Sequence, residues 1–302
     1  MTIQARRGAT IIDGRALASG VRADTAARVA AMKATGVPVR LDAVLVDTGD
    51  AGGGARVYAE SQGRTCAELG IEYRLHTLSS GATADDVMGR VMVLSGRDDV
   101  SAIMVHLPLP QGVDTFEVQR CIDPDKDVEG VNPANIGNIV CGRWSLAPCT
   151  ALAVVTMVES TGIDLRGKKV VIIGAGDVVG KPIAVLMMRR EATVISCNIH
   201  TRDVPELAHS ADVVVAAAGV AGLVKSEWVR PGAVVIDVGV NVVAGADGKK
   251  RTVGDVDFDR VKDVAGWISP VPGGVGPVTV AMLLKNVADA AERAAGWLKK
   301  AP

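Results

Sequence analysis

KKVVIIGAGDVVGKPIAVLMMRR, residues 168–190, is the stretch that decides the fold. Residues 170–173 form a short β-branched apolar run that ends on Gly174-Ala175-Gly176 and passes through Gly180 and Pro182 into a segment with helical spacing. The pattern predicts strand, tight turn, helix. Glycine lets backbone approach a pyrophosphate, and the free N–H groups and dipole of the following helix favour an anion there. The spacing is G-x-G-x-x-x-G, one residue longer than the usual dinucleotide fingerprint, so a plain tight β–α turn stands beside nucleotide binding as a reading.

Outward from that turn, the chain alternates. Helical spacing covers residues 14–34, 57–69 and 83–94, with strands expected at 41–46, 71–78 and 102–105. After a helix at 150–160, further strands are expected at 193–197, 212–217 and 233–238. Residues 47–54 (DTGDAGGG) read as a glycine-rich loop, and 124–144 as a loop-rich connection lining a cleft. The last helix is expected at 280–295, after the proline–glycine loop ISPVPGGVGPVT at 268–279. This alternation predicts an α/β protein with mostly parallel sheets and helices on both faces.

Composition bounds the function classes. The 302 residues suffice for two lobes, and 48% hydrophobic with 3% aromatic residues suits a packed α/β protein. A net charge of −1 gives no broad field for nucleic acid or an anionic membrane. No apolar run has the length of a signal core or a membrane span, so a cytoplasmic location is expected. The five cysteines, at 66, 121, 141, 149 and 197, are scattered with no C-x-x-C, which indicates reduced thiols and no metal site.

With these residues laid out, the chain resembles the bifunctional methylenetetrahydrofolate dehydrogenase/methenyltetrahydrofolate cyclohydrolase family. The matching motifs are VYAES at 57–61, LPLP at 107–110, KDVEG at 126–130, VIDVGVN at 235–241 and PVPGGVGPVT at 270–279, in the family's order. The resemblance implies a substrate lobe over residues 1–146, a Rossmann-like lobe over 147–270, a cleft between them, and a segment 271–302 that returns to the first lobe. It also implies a homodimer, a tetrahydrofolate derivative as substrate, and NADP as cofactor with NAD left open. It places the cofactor at Gly174, Ala175, Gly176, Gly180, Asn198, Ile199 and His200, and the substrate at Asp127, Pro272, Gly273 and Gly274.

Three departures from the family pattern surround the one-carbon unit. The family's Y-x-x-x-K becomes Tyr58 and Gln62, its glutamine before LPLP becomes His106, and the second aspartate of its KDVDG becomes Glu129. Its PCTP-x-G appears as PCTALA at 148–153, and the loop before Tyr58 is longer than usual. The family's two reactions differ in their demands. Oxidising the methylene bridge is a hydride transfer that rests on positioning. Hydrolysing the methenyl cation requires a group that takes a proton from water, which an amide at 62 cannot supply. The expectation is therefore a dehydrogenase with cyclohydrolase activity weakened or absent.

Tyr58, Gln62, His106 and Glu129 are the candidate catalytic set. Tyr58 stacks on or hydrogen-bonds the pterin, or else is a core aromatic. Gln62 positions the bridge, or is a polar residue facing the cleft. His106 is either a replacement base or a hydrogen-bonding histidine at a strand end. Glu129 either pairs with His106 and raises its pKa or accepts pterin hydrogen bonds. At the ribose, residues 197–202 (CNIHTR) carry no acid to exclude a 2′-phosphate, although Ile199 and Ala175 replace polar family residues. An enzyme of the same fold on another one-carbon carrier and a non-catalytic binding protein are the other two readings.

Overall fold

Valine- and isoleucine-rich runs, bounded by turn formers, produce strands buried on both faces, and the segments between them coil into helices that cover those faces. The structure is a computed structural model and describes residues 8–47, 54–244 and 248–297. Most of the glycine-rich loop at 47–54 lies outside the described residues. In chain order the elements are β1 (Thr10–Ile11), α1 (Gly14–Ala34), β2 (Arg40–Val46), α2 (Gly54–Glu68), β3 (Glu72–Leu78), α3 (Ala84–Ser95), β4 (Ala102–Val105), α4 (Thr115–Arg120), α5 (Pro133–Val140) and α6 (Cys149–Glu159). They continue with β5 (Lys169–Ile173), α7 (Gly180–Met188), β6 (Thr193–Cys197), α8 (Val204–His209), β7 (Val213–Ala216), β8 (Val234–Asp237), β9 (Asn241–Ala244), β10 (Lys250–Val253), α9 (Phe258–Val261), β11 (Trp267–Ile268) and α10 (Val275–Ala294).

Two units result. The first gathers the described residues up to Ser19 with Thr150–Val280, around a six-stranded sheet ordered β1-β11-β8-β7-β5-β6 in which every neighbouring pair is parallel. Its core packs Val171, Ile173, Val214, Val235 and Ile268 against Ala208, Val229 and Val261. β6 lies on one side of β5 and β7 on the other, so the strand order reverses at the C-terminal end of β5, where open α/β sheets bind ligands. β9 and β10 pair separately as an antiparallel hairpin.

The second unit gathers Gly20–Cys149 with the described residues from Ala281 onward. Its parallel sheet runs β3-β2-β4. Val44, Val46, Ile103 and Val105 from the sheet meet Val87, Val91 and Leu94 of α3 and Val118 of α4. α3 starts on a capping box, in which the Thr83 hydroxyl accepts from the Asp86 N–H and the Asp86 carboxylate accepts from the Thr83 N–H. β2 is buried throughout, including Arg40 and Asp42, which form an ion pair at 2.6 Å, and Asp42 also meets His76 Nε2 at 2.6 Å.

The structure corrects four expectations. Residues 8–19 group with the nucleotide-type unit rather than with a first lobe of 1–146, because β1 pairs with β11. The segment 271–302 is divided, with residues through Val280 in the first unit and those from Ala281 in the second. The connection at 124–144 contains a helix, α5, because Asn132 caps it by accepting from the Ala134 N–H and Pro133 fills its first position without needing a donor. The last helix starts at Val275 rather than 280, since Pro277 falls in its first turn, where a missing N–H costs nothing.

Candidate active site

The turn after β5 rests on two glycines that no other residue could replace, Gly174 and Gly180. Gly174 has φ +114°, and a Cβ there would stand 2.1 Å from the Ala217 carbonyl oxygen. A Cβ on Gly180 would meet the Gly174 carbonyl oxygen at 1.9 Å, so α7 starts hard against the turn. Gly176 differs: its added Cβ would meet nothing within 4 Å and its φ is ordinary. Its lack of a side chain is therefore not needed for packing, and the space beside it is open to a ligand.

That space is a cavity of about 520 Å³ at the C-terminal ends of β5, β6 and β7. Ile173 to Gly176, then Cys197, Asn198, Ile199 and Thr201, and then Ala217, Ala218 and Val220 line it, together with Trp228. Of the sequence-derived cofactor residues, Gly174, Ala175, Gly176, Asn198 and Ile199 line it, whereas Gly180 supports the turn and His200 stands exposed beside it. Ile199 is 93% exposed, so no packing role accounts for it. Trp228 and the residues after β7 were missed from sequence, because nothing in a linear pattern brings residues 217–228 to the glycine turn.

In the second unit, four elements converge. Tyr58, half exposed on α2, lies edge-on to His106 with ring centroids 5.9 Å apart. It is therefore no core aromatic. Gln62, one turn further along α2, is 5% exposed, and neither its amide oxygen nor its nitrogen has a hydrogen-bond partner among the described residues. A buried amide of that kind costs about 1–3 kcal/mol for each orphaned group. His106, directly after β4 and buried, approaches the Tyr73 hydroxyl through Nε2 at 3.3 Å. Tyr73, which sequence reasoning missed, sits under α2 so tightly that a Cβ on Gly63 would be 2.8 Å from its ring.

Glu129 projects from a rigid loop. Asp127, fully buried, accepts from the Gly130 and Asn132 N–H groups at 3.1 and 2.7 Å and from Asn135 Nδ2 at 2.9 Å. It orients the loop and is spent on that task. The Val128 carbonyl accepts from Asn286 Nδ2 of α10 at 2.8 Å and from the Cys149 thiol at 3.1 Å. Gly130 takes φ +68° where a Cβ would stand 2.3 Å from the Ala147 carbonyl carbon. The residues on both sides of Glu129 are thus fixed.

Burial sets the charge states of these residues. Burial pushes the His106 imidazole down to about 4, so it is neutral at ordinary pH, and pairing with Glu129 does not raise it. Burial, with the negative charge of Asp127, pushes the Glu129 carboxyl up to about 7. The Tyr58 phenol is also raised, by burial first and then by Glu129 and Cys149. Pro272, Gly273 and Gly274 belong to the other unit: Gly273 has φ +102°, and a Cβ on Gly14 would meet the Gly274 carbonyl oxygen at 1.9 Å, so the turn rests on the start of α1. All five cysteines are free, and no cluster of metal-ligating side chains occurs among the described residues.

Comparison with known proteins places this geometry. Residues 12–129 match the tetrahydrofolate dehydrogenase/cyclohydrolase catalytic domain, and residues 148–295 match the NAD(P)-binding domain of the same family. The bifunctional protein FolD 2 of Geobacter sulfurreducens is 42% identical over 286 residues, covering 95% of this chain and 98% of that protein. The structure of the bifunctional FolD methylenetetrahydrofolate dehydrogenase/cyclohydrolase from Campylobacter jejuni superposes with a TM-score of 0.87 at 35% identity, covering 94% of this chain and 99% of that one. The Trypanosoma brucei enzyme, complexed with NADP cofactor and inhibitor, gives the same score and identity over 95% of this chain and 99% of its own. This chain belongs to the tetrahydrofolate dehydrogenase/cyclohydrolase family.

Proposed function

We propose that the chain oxidises 5,10-methylenetetrahydrofolate to the 5,10-methenyl form with NADP, and that it hydrolyses the methenyl product more slowly than it makes it. The observation that carries the second half is Gln62, a buried amide with no hydrogen-bond partner among the described residues, at the position where the family pattern has a titrating amine. The neutral, buried His106 is no substitute for that amine.

The residues divide the work. The turn at Gly174 to Gly176 receives the pyrophosphate, with Gly176 leaving the approach open, and Asn198, Ile199 and His200 take the ribose side. NADP, when bound, accepts the hydride. No carboxylate stands at 197–202 to repel a 2′-phosphate. Tyr58 offers an exposed ring to the pterin, and the Gln62 amide gains in the bound substrate the hydrogen bonds it lacks among the described residues. Hydride loss then needs position rather than a proton carrier. The pinned loop at Asp127 to Gly130 adds the substrate contacts of the second unit. A homodimer in the cytoplasm is the assembly and setting proposed with this activity; light scattering checks the former.

The test supplies 5,10-methylenetetrahydrofolate with NADP or NAD and follows reduced cofactor and methenyl absorbance together. The expected result is faster turnover with NADP and methenyl accumulating nearly in step with NADPH. Absence of NADPH refutes the dehydrogenase reading. NADPH without methenyl accumulation refutes the reading of Gln62.

A further inference from the structure

We propose that Tyr73, admitted beneath α2 by the missing side chain of Gly63, is a positioning residue: its hydroxyl donates to His106 Nε2, fixes the imidazole as the tautomer protonated on Nδ1, and through that ring holds Tyr58 in place. The consequence for substrate affinity rests on the folate reading above, whereas the hydrogen bond and the tautomer do not.

Three contacts close a circuit through three elements. Between α2 and β3, a Cβ on Gly63 would stand 2.8 Å from Tyr73 Cδ1 and 3.1 Å from Cε1, so any larger residue at 63 would push the ring away. Between β3 and the residue after β4, the Tyr73 hydroxyl and His106 Nε2 are 3.3 Å apart. Back on α2, the His106 and Tyr58 rings meet edge-on, 85° between planes and 5.9 Å between centroids, within the range that edge-to-face pairs favour. Tyr58 and Gly63 belong to the same helix, so each of the three side chains is located by the other two. The backbones behind them are fixed as well. Tyr73 pairs with Leu41 of β2, and the His106 N–H donates to the Val44 carbonyl of the same strand at 2.8 Å.

The direction of the Tyr73–His106 bond follows from the two groups. A neutral imidazole has one nitrogen that donates and one that accepts, and burial keeps His106 neutral. Burial also keeps the Tyr73 phenol protonated, and its hydroxyl has no other hydrogen-bond partner among the described residues. Donation by Nε2–H would leave that O–H without an acceptor, whereas donation by the O–H satisfies both groups. Nε2 is then engaged and the proton sits on Nδ1. His106 is held as an oriented donor rather than left to exchange between tautomers, which is what a side chain bordering a binding surface needs from its support.

The first test is spectroscopic. Long-range proton–nitrogen NMR of nitrogen-labelled, folate-free protein near neutral pH shows which imidazole nitrogen carries the proton, and His106→Gln identifies the His106 signals among those of the four histidines. Expected are a single His106 tautomer protonated on Nδ1 in wild type, and shifts averaged between tautomers in Tyr73→Phe, which loses only the hydroxyl, and in Gly63→Ala, whose Cβ displaces the ring. The second test is kinetic. In both variants KM for 5,10-methylenetetrahydrofolate rises about 10-fold, with kcat and the KM for NADP as in wild type. A wild-type His106 protonated on Nε2, or a His106 spectrum unchanged in Tyr73→Phe, overturns the bond. A changed spectrum with an unchanged folate KM, or a fall in kcat alone, overturns the positioning role. Should Gly63→Ala not fold, Tyr73→Phe decides. A wild type that forms no NADPH ends the folate reading, and the spectra still decide the bond and the tautomer.

Discussion

Replacing Gln62 by methionine isolates the consequence of burying an amide without partners. Methionine is close to glutamine in length and volume, so the 5%-exposed site on α2 accepts it without a cavity or a clash. Among the described residues neither group of the wild-type amide has a partner. At about 1–3 kcal/mol each they bound the gain, and after partial relaxation a net stabilisation of about 1–3 kcal/mol is expected for the ligand-free protein. For a unit of this size that raises Tm by roughly 2–12 °C. The same change removes the donor and acceptor meant for the substrate, so affinity for methylenetetrahydrofolate falls by about 10- to 100-fold. Urea unfolding of the folate-free protein and titration calorimetry with a folate read the two effects separately. A methionine variant less stable than wild type means the amide is already satisfied at rest. A stabilised variant that binds folate as well as before means the amide does not meet the substrate. Either result refutes the reasoning.

The remaining predictions act on other parts of the site. Gln62→Lys restores a titrating amine and raises methenyl hydrolysis by about 10²–10⁴-fold relative to NADPH formation, measured in one cuvette. Gly174→Ala, with its Cβ driven onto Ala217, destabilises the fold by at least about 1–3 kcal/mol, whereas Gly176→Ala leaves Tm unchanged and weakens NADP binding; thermal melts with and without NADP distinguish them. In the ligand-free protein, the Glu129 carboxyl, raised from 4.5 to about 7, contributes stability that is full below pH 4.5 and is lost as pH rises through 7. Glu129→Gln therefore gains about 3 kcal/mol relative to wild type between those limits, by urea unfolding. His106, lowered from 6.5 to about 4, contributes stability that is full above pH 6.5 and is lost as pH falls through 4, so His106→Gln gains relative to wild type on acidification.

What could be read in the chain was whatever local pattern alone controls. The β5–turn–α7 unit was legible because a β-branched run, Gly174 and helical spacing all lie within one stretch. The helix α5 was not, because Asn132 and Pro133 carry the same identities in a turn as in a cap and first helical position, and only the Ala134 bond tells them apart. β1 and β11 are two residues each and exist only through pairing across the chain. β9 and β10 are largely solvated, so no apolar run announces them. The candidate residues Tyr58, Gln62, His106 and Glu129 were found by motif, but their protonation follows from burial and from neighbours such as Asp127, which a linear pattern does not contain.

The three departures from the family pattern are better understood as one electrostatic change than as separate losses. A lysine one turn after Tyr58 would add a cation to the second unit, and a nearby cation favours an ionised carboxylate and holds its proton affinity down. With an amide at 62, no cation appears among the causes that set the Glu129 carboxyl; only burial, Asp127 and one backbone N–H do. The same desolvation that keeps His106 neutral then lifts Glu129 into the range where it can both take and give a proton. With an amide at 62, the proton affinity of Glu129 is thus set by burial and by Asp127. Fixing the loop through Asp127, Asn286 and Gly130 keeps the carboxylate in that setting, because one free to swing into solvent would ionise as an ordinary surface glutamate.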